Sequence, residues 1–264
     1  MTEFYINNNN NKFPLQQGVI INGCIADNHS KEAFGLIITP RCDIGNGGKV
    51  STIHYLPIVP LEDWLKVNCI MTAVRKFRKQ LEKKLKQNGV SSSILNYFIP
   101  QQDIEALFNN VSNKKELVKM YKCYKDTIEN GNYSNDYIIK NCKDEFNDLC
   151  KGNHNRYYMI KRWDDKERYC VIILRDVKRV SYEIAKKFVG GCLNHNFEET
   201  IYLNNDIFKT DDKTFFKTVA QISSPYIEHI IQSFSHNFCR IGVEDQLEPD
   251  SITAIYNINK IIQQ

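Results

Sequence analysis

Apolar residues first recur with the alternating period of strands. Gln17–Ala26 (QGVIINGCIA) and Phe34–Thr39 (FGLIIT) are rich in β-branched residues, are bounded by turn formers, and predict two strands. Ile53–Val59 (IHYLPIV) predicts a third. Pro57 inside it predicts an edge position or a bulge, because proline offers no N–H to a ladder. The period then changes. Trp64, Val67, Met71, Val74, Phe77, Leu81 and Leu85 recur at helical spacing and predict one helix from Pro60 to Lys86, with Glu62 and Asp63 suited to its first turn and Gly89 to its stop. Further helices are predicted after Pro100, from about Lys114 to Asn130, and from about Asn135 to Lys151. Asn113 and Glu116 read as a capping pair for the second of these, with Gly131 and Gly152 as stops.

Strands return at Arg156–Trp163 and Tyr169–Arg175, as a hairpin turned by Asp164, Asp165 and Lys166, and Val177–Val180 continues the second strand. A short helix near Tyr182–Val189, mixed strand-like pieces over 200–222, a helix opened by Pro225 and a last one from Ser251 complete the pattern. Strands on both sides of a helical stretch predict an α+β fold: a small curved antiparallel sheet or SH3-like barrel, a helical insertion, and C-terminal helices. The expected organisation is a disordered tail over 1–12 that holds the run Asn7–Asn11, a β-rich core from 13–60 and 153–222, a helical insertion over 61–152, and C-terminal helices over 223–264.

Composition adds three constraints. The polar start MTEFYINNNNNKF has no apolar signal core, and no apolar run is long enough to span a membrane. Nine cysteines, an odd number without a CxxC pair, predict reduced thiols in a cytoplasmic protein. The net charge of +4 conceals a local concentration. Between Leu61 and Gly89 stand eight basic and three acidic residues, a net of +5, so an electrostatic partner is sought there.

Two resemblances follow from particular residues. Gly18-Val19-Ile20-Ile21, Gly35-Leu36-Ile37-Ile38 and Leu56-Pro57-Ile58 resemble strand motifs of the PemK/MazF ribonuclease toxins, which implies an SH3-like barrel. The positions where those toxins carry Arg and Thr or Ser read Glu32-Ala33 and Val59-Pro60, so a ribonuclease here would draw on other residues. Thr39-Pro40-Arg41-Cys42-Asp43-Ile44, Arg156-Tyr157-Tyr158 and Ser224-Pro225-Tyr226-Ile227-Glu228 through Gln232, Phe234, Arg240-Ile241-Gly242 and Asp245 are similar to uncharacterised bacterial proteins of mobile or defence-type clusters. That resemblance spans most of the chain and implies a bacterial conflict setting.

Four groups of residues are candidate sites. Cys42 and Asp43, with Lys49 across a glycine loop and His54 as the nearest imidazole, read either as a thiolate site beside Arg41 or as a tight turn in which Asp43 binds amides; the turn is favoured. Arg75, Lys76, Lys79, Lys83 and Lys86 share one side of the basic helix and suit phosphates, or else form a solvated face. Glu228, His229, Gln232 and Arg240 form a polar face on the late helix. Cys150, His154, Cys192 and His195 offer a zinc ligand set with irregular spacing, so no metal or other cofactor is expected. The expected function is an accessory or effector-type binding protein of a conflict system, with nucleic acid or a protein as partner. The alternative is a divergent PemK/MazF-like endoribonuclease that uses the Arg41-Cys42-Asp43/Lys49 loop.

Overall fold

Strands β1 (Val19–Cys24), β2 (Ala33–Ile37) and β3 (Thr52–Pro60) run antiparallel at the centre of the sheet. The computed structural model describes residues 4–6, 12–45, 49–97, 99–100, 103–109, 111, 113–164, 168–193, 204–208 and 215–239. The fold is α+β, with a strongly curled antiparallel half-barrel sheet. A hairpin of β4 (Tyr157–Lys161) and β5 (Tyr169–Ile173) joins β3 on its free edge, β6 (Lys178–Ser181) pairs the other half of that edge, and β9 (Thr218–Gln221) pairs β1. A separate ladder joins β7 (Cys192–Leu193) and β8 (Phe215–Phe216). The curl has a local cause in β1. Its register against β2 shifts between Ile21 and Cys24, and a bulge of this kind bends a strand. Gly23 there has φ +71°, and a Cβ on it would lie 1.9 Å from the Phe216 ring, so only glycine fits.

Pro57 is not in a bulge or on an edge strand of the sheet, but its outer side is locally unpaired, as an edge position requires. It lies mid-strand in β3, opposite Gly35. The Ile38 N–H donates to the His54 carbonyl at 3.0 Å, and alternation from that pair makes Leu36–Leu56 hydrogen-bonded and Gly35–Pro57 not. The Pro57 nitrogen therefore points to the other edge. There β5 pairs only from Ile58 onward and β6 only up to Tyr55. The missing N–H falls in the gap where the chain passes from one strand to the next.

Alternation along the strands buries both faces of the sheet. Val19, Ile21, Ile37, Ile53, Tyr55 and Val171 pack on one side with Trp64 and with α7 (Tyr182–Gly190), whose cap Ser181 accepts from the Ile184 N–H. Ile20, Leu36, Leu56, Ile58 and Ile172 pack on the other side with Ile227 and Ile230 of α8 (Tyr226–Cys239). The expected tail over 1–12 is corrected at 4–6. Tyr5 pairs with Ile222 beyond β9, the Ile6 N–H donates to the Gln221 carbonyl, and the Tyr5 hydroxyl donates to the Lys161 carbonyl on β4. This short segment spans the opening between the two edge strands, and apolar Phe4 and Tyr5 hold it there by packing beside Tyr226 and Trp163.

After β3 the helix does not run regularly. It begins as α2 (Leu61–Trp64), passes through a π-helical turn (Leu65–Cys69) and continues as α3 (Ile70–Gln87). A π turn adds one residue to the repeat. The buried row therefore steps from Trp64 to Cys69 and then to Ala73, Phe77, Leu81 and Leu85, while the expected members Val67, Met71 and Val74 are only half-buried. α3 packs on α5 (Lys114–Asn130) and α6 (Asp136–Cys150) around a second apolar cluster that includes Phe77, Leu81, Phe108, Tyr121 and Ile138. Burying each such side chain contributes roughly 1.5–3 kcal/mol. The expected capping pair of α5 does not form: Asn113 makes no side-chain cap, and Glu116 binds Lys84 instead. Gly89, Gly131 and Gly152 do stand at helix ends with φ of +71°, +66° and +68°. A 3-10 turn (Ser92–Asn96), the one-turn α4 (Ile104–Leu107) and the one-turn α1 (Arg41–Gly45) are the remaining helical pieces. Among the described residues no helix is long and apolar enough to cross a membrane.

Candidate nucleic-acid interface

Tertiary contacts sort the basic residues of α3 into two groups. Arg78 binds Glu82 at 2.9 Å, Lys84 binds Glu116 of α5 at 2.9 Å, and Lys76 binds Glu145 of α6. Arg75, Lys79, Lys83 and Lys86 are exposed and have no acidic partner among the described residues. Steps of four, four and three residues keep these four on one face of the helix. Eleven rises of 1.5 Å make the row about 16 Å long.

At the sheet end of the row a cleft of about 530 Å³ opens between α3 and the connection from α6 to β4. Arg75, Lys76, Arg78 and Lys79 line one side, and Asn153, His154, Asn155 and Arg156 the other. Its floor is a fixed ion cluster. Glu145 is buried, and each of its oxygens has a donor: Lys76 Nζ on Oε1, and His154 Nε2 at 2.7 Å on Oε2. The Arg156 N–H donates to His154 Nδ1 at 3.1 Å. That bond places the ring hydrogen on Nε2, which donates to Glu145. Burial alone would raise the Glu145 carboxyl, but the bonds from His154 and Lys76 outweigh it and hold the group below its ordinary value. One turn earlier on α6, buried Asn141 donates to the Ala73 carbonyl at 3.3 Å and accepts from Gln80 at 3.0 Å. Lys76 thus neutralises the floor, while Arg75, Lys79 and Arg156 outnumber the one exposed acid of the lining, Asp148, and leave the mouth positive.

The π turn supplies the adjoining wall. Asn68 within it accepts from His29 Nε2 at 2.8 Å, and Asn68 and Thr72 stand beside the Tyr157 hydroxyl and favour its charged form. Burial raises that phenol, and these two neighbours only partly offset the effect. The Tyr157 ring packs against His154 at 4.7 Å and edge-on to Trp64 at 5.3 Å.

The other sequence candidates lie elsewhere. Cys42 and Asp43 belong to α1, which the Pro40 carbonyl opens by accepting from the N–H groups of Asp43 and Ile44. Cys42 is exposed, and its thiol faces Asp43 Oδ1 at 3.5 Å. The favoured tight turn is thus a single helical turn, and residues 46–48 of the glycine loop lie outside the described residues. Lys49 is exposed. His54 sits on β3 opposite Arg179, with its N–H bonded to Thr39 Oγ1 at 2.8 Å. None of Cys42, Asp43, Lys49 and His54 lines the cationic cleft. On α8, Glu228 and Gln232 are exposed, and His229 pairs through Nδ1 with the Tyr158 hydroxyl at 2.9 Å rather than with Glu228. Arg240 lies outside the described residues. The zinc alternative is not assembled among the described residues. Both His154 nitrogens are bonded within the protein, His195 lies outside the described residues, and no group of three metal-ligating side chains forms among the described ones. Cys150 is exposed at the end of α6, and Cys192 is half-buried on β7.

The basic helix was visible in the sequence, but Glu145, Arg156, Asn68 and Tyr157 were not assigned to it. A signal for Glu145 existed. The apolar stripe of α6 reads Ile138, Asn141, Glu145, Leu149, with two polar residues at buried positions, and buried polar groups require partners. No protein-family model matches the chain, and no curated protein or solved structure gives a significant match.

Proposed function

We propose that this protein binds nucleic acid through the phosphate backbone, with Arg75, Lys79, Lys83 and Lys86 along α3 and Arg156 across the cleft as the contacting groups. The observation that carries this reading is the division of charge on α3. Where a cation serves the fold it has a carboxylate, and four exposed cations on one face have none among the described residues. Such a row contacts phosphates without reading sequence. The setting proposed is an accessory protein of a bacterial conflict system, supported by the resemblance carried by Thr39–Ile44, Arg156–Tyr158 and Ser224–Phe234.

The test is binding of a labelled single-stranded oligonucleotide as a function of salt. Single strands give a slope of about −0.7 in log K against log salt for each phosphate neutralised. Four to five contacts predict a slope near −3. A slope near zero, or no binding at low salt, overturns the reading.

A further inference from the structure

Beside the cationic cleft lies a smaller pocket of about 160 Å³, and Thr72 and Arg75 line both. Met71, Ile173 and Tyr157 give it apolar and aromatic walls; Asn28, Asn68 and the carboxylates of Asp27 and Asp176 give it a polar edge. Pockets for whole ligands measure about 300–1,000 Å³, so this one is too small for an entire nucleotide. A cavity of about 150 Å³ holds a benzene ring. One six-membered ring therefore fits, and a fused purine does not. We propose that this pocket takes one unstacked pyrimidine base, cytosine before uracil or thymine, while the phosphate of that nucleotide lies on Arg75. The proposal rests on the phosphate-binding reading above and adds a base to it.

The pocket is built rather than incidental. The π turn carries Asn68 into it, and the bond from His29 Nε2 fixes the side-chain amide. Asp176 is buried; its Oδ2 accepts from the Asp27 N–H at 2.8 Å, and its Oδ1 meets Lys178 at 3.0 Å. Lys178 also binds Asp27 through Oδ1, which leaves Asp27 Oδ2 as an acceptor at the rim. Carboxylates accept from the exocyclic amino group of cytosine, whereas uracil and thymine carry a carbonyl at that position. Asn28 holds φ +64° at the same rim, a conformation that non-glycine residues adopt at a cost and that clusters at binding sites. An aromatic wall suits any base ring. A paired base cannot enter, so single strands bind in preference to duplex.

The experiment is fluorescence anisotropy of short labelled oligo-dC, oligo-dT, oligo-dA and an abasic strand of equal length, at low salt. Oligo-dC is expected to bind about fivefold tighter than oligo-dA, which should match the abasic strand, with oligo-dT between them. Met71→Phe, which fills the pocket, should bring the oligo-dC to oligo-dA ratio to about one. Equal binding of all four strands by the parent overturns the base pocket and leaves the phosphate reading in place. No binding of any strand overturns both. If Met71→Phe does not melt as a folded protein, the comparison of the four strands with the parent decides alone.

Discussion

The two sets of basic residues on α3 differ in what surrounds them, not in composition. In one, Lys76, Arg78 and Lys84, spread around the margins of the buried row, each meet a carboxylate. In the other, Arg75, Lys79, Lys83 and Lys86 share one face and meet none among the described residues. The difference shows that a basic helix is two objects. One is tied down inside the fold, Lys84 to α5, Lys76 to α6 and Arg78 to Glu82 one turn along α3. The other meets no carboxylate among the described residues and keeps its charge exposed.

The comparison is broken most severely at its buried end. Glu145→Ala removes the acceptor of both His154 and Lys76 and leaves a buried ring N–H without a partner, so a loss of about 3 kcal/mol is expected in chemical denaturation. The pH dependence has a definite sign. The folded-state pKa of Glu145 lies below its ordinary 4.5, so its stabilisation is complete above that pH and disappears as pH falls through the lowered value. The stability gap between the parent and Glu145→Gln should therefore close in acid. A gap that persists unchanged at pH 3 contradicts the assignment. At the two exposed pairs the effect is far smaller. Arg78 and Lys84 are each more than a third exposed. Arg78→Ala and Lys84→Ala should each change stability by no more than about 0.5 kcal/mol.

The same contrast separates what was legible in the sequence from what was not. Among the described residues local patterns placed most strands, most helices and their glycine stops, because alternation, helical spacing and positive φ are properties of neighbouring residues; the expected helix from Ser251 lies outside the described residues. The π turn was not legible. Trp64, Val67, Met71 and Val74 fit a regular helix, and only packing against Tyr157 and Cys142 shows that Cys69 takes the buried place. Pro57 did mark an unpaired side, but not an edge strand, since the gap that accepts it is made by β5 and β6, more than a hundred residues away. For the site, the basic helix was read as a whole, and Lys76 was counted with the free cations. Its partner Glu145 comes from another helix, and His154 looked like half of a metal motif until its two nitrogens were seen to be engaged.

The most direct measurement is the salt dependence of oligonucleotide binding by two variants. One removes the open face, Arg75→Ala/Lys79→Ala/Lys83→Ala. The other removes a paired cation with its acid, away from the cleft, Lys84→Ala/Glu116→Ala. The first should lower the slope of log K against log salt by about 2 and weaken binding on the order of fiftyfold at 0.15 M salt, from about 0.7 per contact. The second should leave slope and affinity near those of the parent. Equal losses in the two variants would contradict the division of the α3 cations into a paired set and a binding set.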